Sequence, residues 1–274
     1  MPELPEVETI VRDLRPTLVG RRIVRAALSH DDVLRGITRR QLLRRLAGRT
    51  IQRVFRRAKH AVLELGSAHL IIQPGMTGSL MVHRRPLNPD QARYAVLRAR
   101  LDNGEELVYT DVRRLGTILL LDRKHWELYD RAIGPEPLAD DFSAERLGSA
   151  LRRSRQAIKK VIMDQRHLAG VGNIYANEAL FAAGIDPSKP ASRLGPDDHR
   201  RLHAEIRRIL SAAIRSNGTT FRDYRTGTGE PGNFQLELLV YGREGEPCRR
   251  CGTRLTGTHA IDARISVFCH RCQS

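Results

Sequence analysis

The chain has 274 residues, 41% of them hydrophobic, which allows two domains with their own cores and excludes a disordered chain. No segment approaches the roughly 20 apolar residues of a membrane helix, and the acidic N-terminus lacks the apolar segment of a secretory signal. We therefore expect a cytoplasmic protein. Its 47 Lys and Arg exceed its 31 Asp and Glu, a formal net charge of +16, which favours a nucleic acid partner. The alternative explanations of the positive charge are a basic bias throughout the organism's proteins or a solvated arginine surface, as at Arg39-Arg40 and Arg44-Arg45.

The first residues, Met1 to Glu8, have two interpretations. If Met1 is removed, Pro2 presents a free secondary amine, which can attack an electrophilic carbon and form an iminium adduct. Three carboxylates lie within six residues of that amine and could transfer protons. The alternative is that the segment is only the polar start of a helix.

Residues 5–19 predict that helix, because apolar side chains recur along one face at helical spacing. Pro16 is expected to bend or end the helix, and Gly20 follows as a stop signal. The apolar face consists of Val7, Ile10, Val11, Leu14 and Leu18.

Residues 22–121 change to a pattern of short strands. Residues 97–101 alternate between apolar and basic side chains, and Asp102-Asn103-Gly104 predicts a turn before the next strand. This half of the chain is therefore expected to form an antiparallel sandwich or barrel. Further strands are predicted at 23–28, 61–65, 70–73 and 118–121.

A second region follows residues 134–137, whose sequence Gly-Pro-Glu-Pro predicts a linker. Beyond it the apolar periodicity is helical, and a glycine-rich stretch lies at 227–232. Helices are predicted at 143–153, 156–165, 173–183 and 196–216.

The four cysteines lie near the C-terminus in the pattern C-x2-C-x17-C-x2-C. Two close pairs joined by a short hairpin can converge on one tetrahedral metal ion, and four thiolates favour Zn²⁺ over hard cations. Disulfides and redox cysteines are the alternatives, but a reducing cytosol disfavours disulfides. A closed structural zinc site is therefore predicted at Cys248, Cys251, Cys269 and Cys272. Arginines cluster on the same hairpin, which we expect to contact phosphate.

Residues 2–8 and the four-cysteine hairpin together resemble the formamidopyrimidine-DNA glycosylases, base-excision repair enzymes that act on oxidised purines. The resemblance extends nearly from end to end, because further matching segments follow in the family's order. They are residues 56–59, 75–80, 109–114, 134–138, 170–176 and 241–248.

This resemblance implies an α+β multidomain fold. It consists of an N-terminal antiparallel β-sandwich with an N-terminal helix, a helix–two-turn–helix domain and a zinc-finger hairpin, with double-stranded DNA in the cleft between domains. We expect a monomer in the bacterial cytoplasm, associated with the nucleoid through DNA. The expected boundaries are 1–133 for the catalytic sandwich, 134–142 for a linker, 143–225 for the helical domain, 226–239 for a lesion-covering loop region, and 240–274 for the hairpin.

The resemblance also implies a reaction on a flipped-out nucleotide. The nitrogen of Pro2 attacks C1′, the base leaves, and β- and δ-elimination then cut the strand. Glu3 is the main acid/base, and Glu6 assists by ordering water or the amine. Lys59 lies at the lesion and its phosphate as a proton donor, and Arg264 grips the flanking phosphates. For the two glutamates the alternative is charge that complements a helix N-terminus, and for Lys59 it is an ordinary basic surface residue.

Further residues are implied to bind DNA. Met76 and Leu115 match wedges that fill the void left by flipping, while Arg113 pairs with the orphaned opposite base. Asn173, in a glycine-rich turn that opens a helix, can offer its amide and backbone N–H to phosphate. Lys159 is a candidate for lesion recognition.

Some positions depart from the family pattern. Leu115 stands where Phe is usual, which removes aromatic stacking worth roughly 1–3 kcal/mol per base. Tyr94 stands where a DNA-contacting His is often found, and Val112, Gln73 and Pro74 also differ. We therefore expect intact strand-cleavage chemistry with an altered lesion search or opposite-base preference.

Arg153 and Arg155, which precede Lys159, are further candidates for DNA contact or plain solvated charge. Three other functions are alternatives. An endonuclease VIII-type enzyme for oxidised pyrimidines usually begins Pro-Glu-Gly-Pro-Glu, which Leu4 argues against. A non-catalytic damage-binding protein on the same scaffold stays open because of the altered wedge. A zinc-finger transcription factor lacks an evident recognition helix and leaves the N-terminus unexplained.

Overall fold

The computed structural model describes all 274 residues and divides them into two compact units. The first unit contains Met1–Arg131 and Ser216–Asn233, and the second contains Ala132–Arg215 and Phe234–Ser274. The segment 216–233 therefore belongs with the N-terminal region, whereas the expected boundaries divide it between the helical domain and the loop region.

The first unit is built from two four-stranded antiparallel sheets. Their strand orders are β1-β6-β7-β5 and β2-β3-β4-β8. Both sheets and the first helix contribute to one hydrophobic core, so the unit is a β-sandwich, as expected. In chain order its elements are α1 (Leu4–Leu18), β1 (Ile23–Leu28), α2 (Arg39–Leu46), β2 (Arg53–Arg57), β3 (His60–Glu64), β4 (Ala68–Gln73), β5 (Gly78–His83), α3 (Pro89–Arg93), β6 (Ala95–Leu101), β7 (Glu106–Asp111), β8 (Thr117–Asp122) and α4 (Arg123–Ala132).

The predicted strands are confirmed to within one or two residues in most cases. The alternating segment 97–101 lies in β6, where Leu97, Ala99 and Leu101 point into the core. The turn at 102–104 joins β6 to its antiparallel neighbour β7, because Gly104 adopts a φ of 84° that favours glycine.

Pro16 does not end the first helix. The helix α1 continues through Pro16 to Leu18, because a proline near the last turn removes only one hydrogen bond from the helix. The arginine-rich segment 39–46 is the helix α2, and its arginines are exposed or half-buried, in agreement with a solvated arginine surface. Thr38 caps α2 by accepting a hydrogen bond from the backbone N–H of Gln41 at 3.3 Å.

The second unit contains four helices and a short antiparallel hairpin. All four predicted helices are confirmed, with ends displaced by a few residues. The helix α7 packs on α6 and α8 and on the hairpin strand β10. The elements are α5 (Ala144–Leu151), α6 (Ile158–Met163), α7 (Asn173–Ala183), α8 (Pro196–Arg215), β9 (Thr256–Thr258) and β10 (Ser266–Phe268). None of the helices in either unit has the length and apolar character needed to cross a membrane.

Candidate active site and metal centre

The N-terminal end of α1 is buried together with its polar groups. Pro2, Glu3 and Glu6 are all shielded from solvent. The carboxylate of Glu6 accepts a hydrogen bond from the backbone N–H of Glu3 at 2.9 Å and another from the N–H of Thr219 at 2.8 Å. Glu6 therefore joins the first turn of α1 to the segment 216–233, which also contacts this unit through Tyr224 in the sandwich core.

Opposite charges converge on the N-terminal amine. In the chain with Met1 present, burial lowers the pKa of its amine, while Glu3 and Glu6 act to raise that pKa. Lys59 and Arg113 lower the pKa further. An amine in this environment loses its proton more readily than an exposed one, and a neutral amine is the nucleophilic form.

Lys59 occupies a tight turn between β2 and β3. The turn consists of Ala58 and Lys59, and Ala58 has a φ of 52°, an uncommon conformation for a residue other than glycine. The guanidinium of Arg56 donates to the backbone oxygen of Ala58 at 3.0 Å and to the carboxylate of Glu8 at 3.0 Å. This bridge ties the turn to α1, so the fold brings the buried Lys59 to the N-terminal site.

The candidate wedge residues lie on two neighbouring loops. Met76 is 47% exposed on the loop between β4 and β5, and Leu115 is 53% exposed on the loop between β7 and β8. The backbone N–H of Arg113 donates to Thr77 Oγ1 at 3.0 Å, and its guanidinium lies 3.8 Å from the sulfur of Met76. The structure therefore brings all three predicted side chains together at one end of the sandwich.

The other departures from the family pattern lie near these loops. Gln73 ends β4, and its amide lies 3.7 Å from the sulfur of Met1. Val112 is exposed. Tyr94 ends α3, where its backbone oxygen accepts from the N–H of Asp111 at 3.1 Å and Arg93 covers its ring.

Lys159, in the second unit, is fully buried. Its ammonium donates to the backbone oxygen of Ile265 at 2.8 Å and to the hydroxyl of Ser266 at 2.7 Å. The backbone oxygen of Arg264 lies 3.4 Å away. A direct contact with DNA requires an exposed ammonium, whereas that of Lys159 is buried and hydrogen-bonded inside the protein.

The remaining predicted contacts of this unit are more exposed. Arg264 precedes β10 with its side chain 55% exposed, and its guanidinium lies 3.3 Å from Asp262. Asn173 is the first residue of α7, and the N-terminus of a helix favours anions. Arg153 and Arg155 lie exposed between α5 and α6 rather than on a helix.

Two buried polar residues of α7, Asn177 and Glu178, were not identified from the sequence. Burial raises the pKa of Glu178, yet its carboxylate accepts three backbone N–H groups at 2.8–2.9 Å from residues 239–241. The amide oxygen of Asn177 accepts from the N–H of Val267 at 2.7 Å. The Asn-Glu pair inside an otherwise apolar helix is the sequence feature that could have indicated these buried contacts.

The four cysteines converge as their spacing predicts. All four sulfur atoms lie within 4.8 Å of one another, with 3.5 Å between Cys251 and Cys269 and 4.0 Å between Cys248 and Cys272. A tetrahedral metal with sulfur bonds of about 2.3 Å requires sulfur–sulfur separations of about 3.8 Å. The four thiols can therefore bind one metal ion with little rearrangement.

A β-sandwich with a buried N-terminal site, a helical unit and a four-cysteine hairpin together define the architecture of a base-excision DNA glycosylase. The family model for the formamidopyrimidine-DNA glycosylase N-terminal domain matches residues 1–118, and the model for the H2TH domain of the same enzymes matches residues 133–225. The chain belongs to the formamidopyrimidine-DNA glycosylase family.

Individual relatives agree with this assignment over the whole chain. The formamidopyrimidine-DNA glycosylase of Stutzerimonas stutzeri is 45% identical over 273 residues, and that of Pseudomonas entomophila is 46% identical over 274, in each case covering 100% of both chains. Among solved structures, a Lactococcus lactis FPG mutant in complex with Fapy-dG containing DNA aligns over 100% of both chains, with a TM-score of 0.90 and 34% identity. The Thermus thermophilus MutM (FPG) protein aligns over 99% of this chain and 98% of its own, with a TM-score of 0.87 and 35% identity.

Proposed function

We propose that this protein excises formamidopyrimidines and 8-oxoguanine opposite cytosine from double-stranded DNA and then cuts the strand at the abasic site. Its family makes it a DNA glycosylase of base-excision repair. The buried N-terminus carries the proposal, because it places the chain's terminal amine, whose pKa burial lowers while Met1 is present, among two carboxylates and a lysine. In support, Lactococcus lactis relatives were solved with DNA containing Fapy-dG and with DNA containing an abasic site.

The first step uses the amine that removal of Met1 exposes. The nitrogen of Pro2 forms a bond to C1′ as the bond from C1′ to the damaged base breaks. Glu3, next to the nucleophile, supplies a proton to the sugar oxygen or to the departing base. Ring opening then leaves an iminium between enzyme and sugar. Glu6 holds the backbone of Glu3 in place through the 2.9 Å hydrogen bond.

The second step breaks the strand by elimination. The iminium makes the 2′ proton acidic, and its loss expels the 3′ phosphate; a second elimination expels the 5′ phosphate. Lys59 acts as the proton donor near the lesion phosphate. Arg264 binds the flanking phosphates, for which an exposed guanidinium suits the geometry.

Recognition of the lesion is assigned to the exposed loop residues. Met76 and Leu115 wedge into the duplex, and Arg113 meets the base opposite the lesion. Tyr94 and Asn173 contact the DNA backbone.

The basic residues near α6 divide into two groups. Arg153 and Arg155 are exposed and bind phosphate directly. Lys159 is buried, and we assign it to holding the backbone beside Arg264 rather than to touching DNA.

The four cysteines are proposed to hold one structural Zn²⁺. Their sulfur separations fit a tetrahedral thiolate site. With four protein ligands the site is closed, so the metal stabilises the hairpin and takes no part in the reaction. We further propose that the protein acts as a monomer in the bacterial cytoplasm, on nucleoid DNA.

Borohydride trapping tests the proposed chemistry. The protein is mixed with a duplex that carries 8-oxoguanine opposite cytosine, and reduction converts the iminium to a stable adduct. We expect an adduct that mass spectrometry assigns to the N-terminal peptide and that is lost in Pro2→Gly. Pro5→Ala, which changes the nearby proline in the first turn of α1, should retain it. An adduct formed only with oxidised pyrimidines would favour the endonuclease VIII-type function, and no adduct with any oxidised base would leave only damage binding.

A further inference from the structure

The loop of residues 74–77 and the loop of residues 112–116 run side by side because of the sheet register. In one sheet Gln73 of β4 pairs with Thr117 of β8, and in the other Gly78 of β5 pairs with Asp111 of β7. Each loop therefore runs from one sheet to the other, and both of its ends lie beside the ends of the other loop. These loops carry the two candidate wedge residues, Met76 and Leu115, and also Arg113, so their mutual position decides how these side chains are presented to DNA.

A buried carboxylate joins the two loops. Asp111 accepts the hydroxyl proton of Thr77 at 2.5 Å on one oxygen. Its other oxygen accepts from the hydroxyl of Tyr109 at 2.9 Å and from the backbone N–H of Gly116 at 2.9 Å. Asp111 is only 1% exposed. One side chain therefore binds the start of β5, the strand β7 and the end of the second loop.

Thr77 extends this network to the wedge itself. Because its hydroxyl donates to Asp111, a lone pair of the same oxygen is directed to accept from the backbone N–H of Arg113, at 3.0 Å. A single hydroxyl thus bridges the loop that carries Met76 and the loop that carries Leu115, in addition to the contacts of Asp111.

The packing of the loops leaves no space for a side chain at Gly75 or Gly116. A Cβ on Gly75 would lie 2.6 Å from the carboxylate of Asp111 and 2.7 Å from the N–H of Gly116. A Cβ on Gly116 would meet the hydroxyl of Tyr109 and lie 2.6 Å from the backbone oxygen of Gln73. No proline lies in residues 112–116, and Arg114 has a φ of 50°. Tertiary hydrogen bonds, rather than local chain stiffness, therefore hold the second loop.

We propose that Thr77 and Asp111 are positioning residues that set the geometry of Met76, Arg113 and Leu115, and through them the selectivity for the base opposite the lesion. This inference rests on the proposed glycosylase function. The two residues act through the loops and do not touch the reacting atoms. They therefore affect the reaction only on duplex DNA, in which the void left by the flipped nucleotide must be filled. Loss of the Thr77 hydroxyl is expected to loosen the loops, and a misplacement of about 1 Å can cost about 100-fold in rate.

The test compares Thr77→Val, which removes the hydroxyl at nearly constant volume, with Thr77→Ser, which retains it. Substrates are duplexes with 8-oxoguanine opposite cytosine or adenine, and single-stranded DNA with an abasic site, which has no opposite base. For Thr77→Val we expect kcat/KM on the cytosine duplex to fall about tenfold or more, with a smaller preference for cytosine over adenine. Cleavage of the single strand should stay within about twofold of the wild type, and Thr77→Ser should resemble the wild type throughout.

Ser79→Ala is the matched control, because the buried hydroxyl of Ser79 on β5 has no hydrogen-bond partner. It should leave all three activities unchanged. Tyr109→Phe, which removes another donor to Asp111, should lower duplex selectivity in the same direction and serves if Thr77→Val folds poorly. Equal losses on duplex and single strand, or unchanged selectivity in both variants, would overturn the proposal. A wild-type protein that forms no borohydride adduct with any substrate would instead overturn the proposed function.

Discussion

The N-terminal site and the cysteine hairpin both present functional side chains, but different forces hold them in place. The site at α1 rests on a core of 28 buried residues drawn from both sheets. The apolar cluster of the hairpin and its supporting helix has six buried members, and two of them are cysteines. A cluster of that size cannot supply the apolar burial that stabilises a domain.

Cross-links therefore replace burial in the hairpin. The thiols can share one metal ion, while Lys159, Asn177 and Glu178 attach the surrounding backbone by hydrogen bonds from α6 and α7. The N-terminal site rests on a large apolar core with hydrogen bonds at its edge, whereas the backbone around Arg264 is held by buried polar contacts beside a cysteine cluster that could bind a metal ion. The two regions should consequently respond differently to metal removal and to substitution.

Metal removal should give the largest effect, confined to the hairpin. Structural zinc contributes an apparent 10–16 kcal/mol in isolated zinc-finger peptides, far more than the small apolar cluster supplies. We expect a chelator, or Cys269→Ser, to collapse the amide NMR signals of residues 246–273 while the signals of the sandwich strands persist. Adduct yield should fall about 100-fold because Arg264 is no longer presented.

Addition of Zn²⁺ should restore the NMR signals and the adduct yield of the chelated protein, but not those of Cys269→Ser. The control is His270→Ala, which alters an exposed neighbour and should leave both signals and yield unchanged. A simultaneous loss of the sandwich signals would contradict the separation between the two regions.

Lys159→Met should give an intermediate effect. It leaves two backbone oxygens and the hydroxyl of Ser266 without their buried donor, and each such group costs about 1–3 kcal/mol. We expect about 3 kcal/mol lower stability of the second unit in chemical denaturation, and weaker DNA binding at constant salt.

Lys160→Met is the matched control, because Lys160 is exposed on the same helix and should change stability by less than about 0.5 kcal/mol. If the two substitutions destabilise the protein equally, the buried ammonium is not what holds the hairpin.

Leu115→Phe should give the smallest effect and change only recognition. Full aromatic stacking is worth about 1–3 kcal/mol per base, and because Leu115 is already an apolar wedge only part of it is added, so we expect a several-fold change in kcat/KM or in opposite-base preference. Leu128→Phe, at an exposed position on α4, is the control for added aromatic surface. Lesion kinetics and selectivity that both match the wild type would refute the idea that Leu115 alters the lesion search.

Several features could be predicted from the sequence because they depend on residues close together in the chain. The apolar period of α1, the alternation in β6 and the paired cysteines each required only local spacing, and all three are confirmed. The family resemblance followed from short segments in order and is also confirmed.

Other features depend on which distant segments meet. The adjacent lysines 159 and 160 look alike in the sequence, and only the docking of α6 against the hairpin buries one and exposes the other. The attachment of residues 216–233 to the N-terminal unit likewise depends on distant contacts, among them those of Glu6 with Thr219 and of Tyr224 with the sandwich core.

The sequence by itself determined the family, the main elements and the identity of the chemical groups, because periodicity and motif spacing are local properties of the chain. Only the tertiary structure decided how those groups are held. The pairing of β4 with β8 and of β5 with β7 brings Thr77 to Asp111 and Arg113. Strand register depends on side-chain packing across the whole sandwich, so no local pattern around Thr77 could reveal its partners.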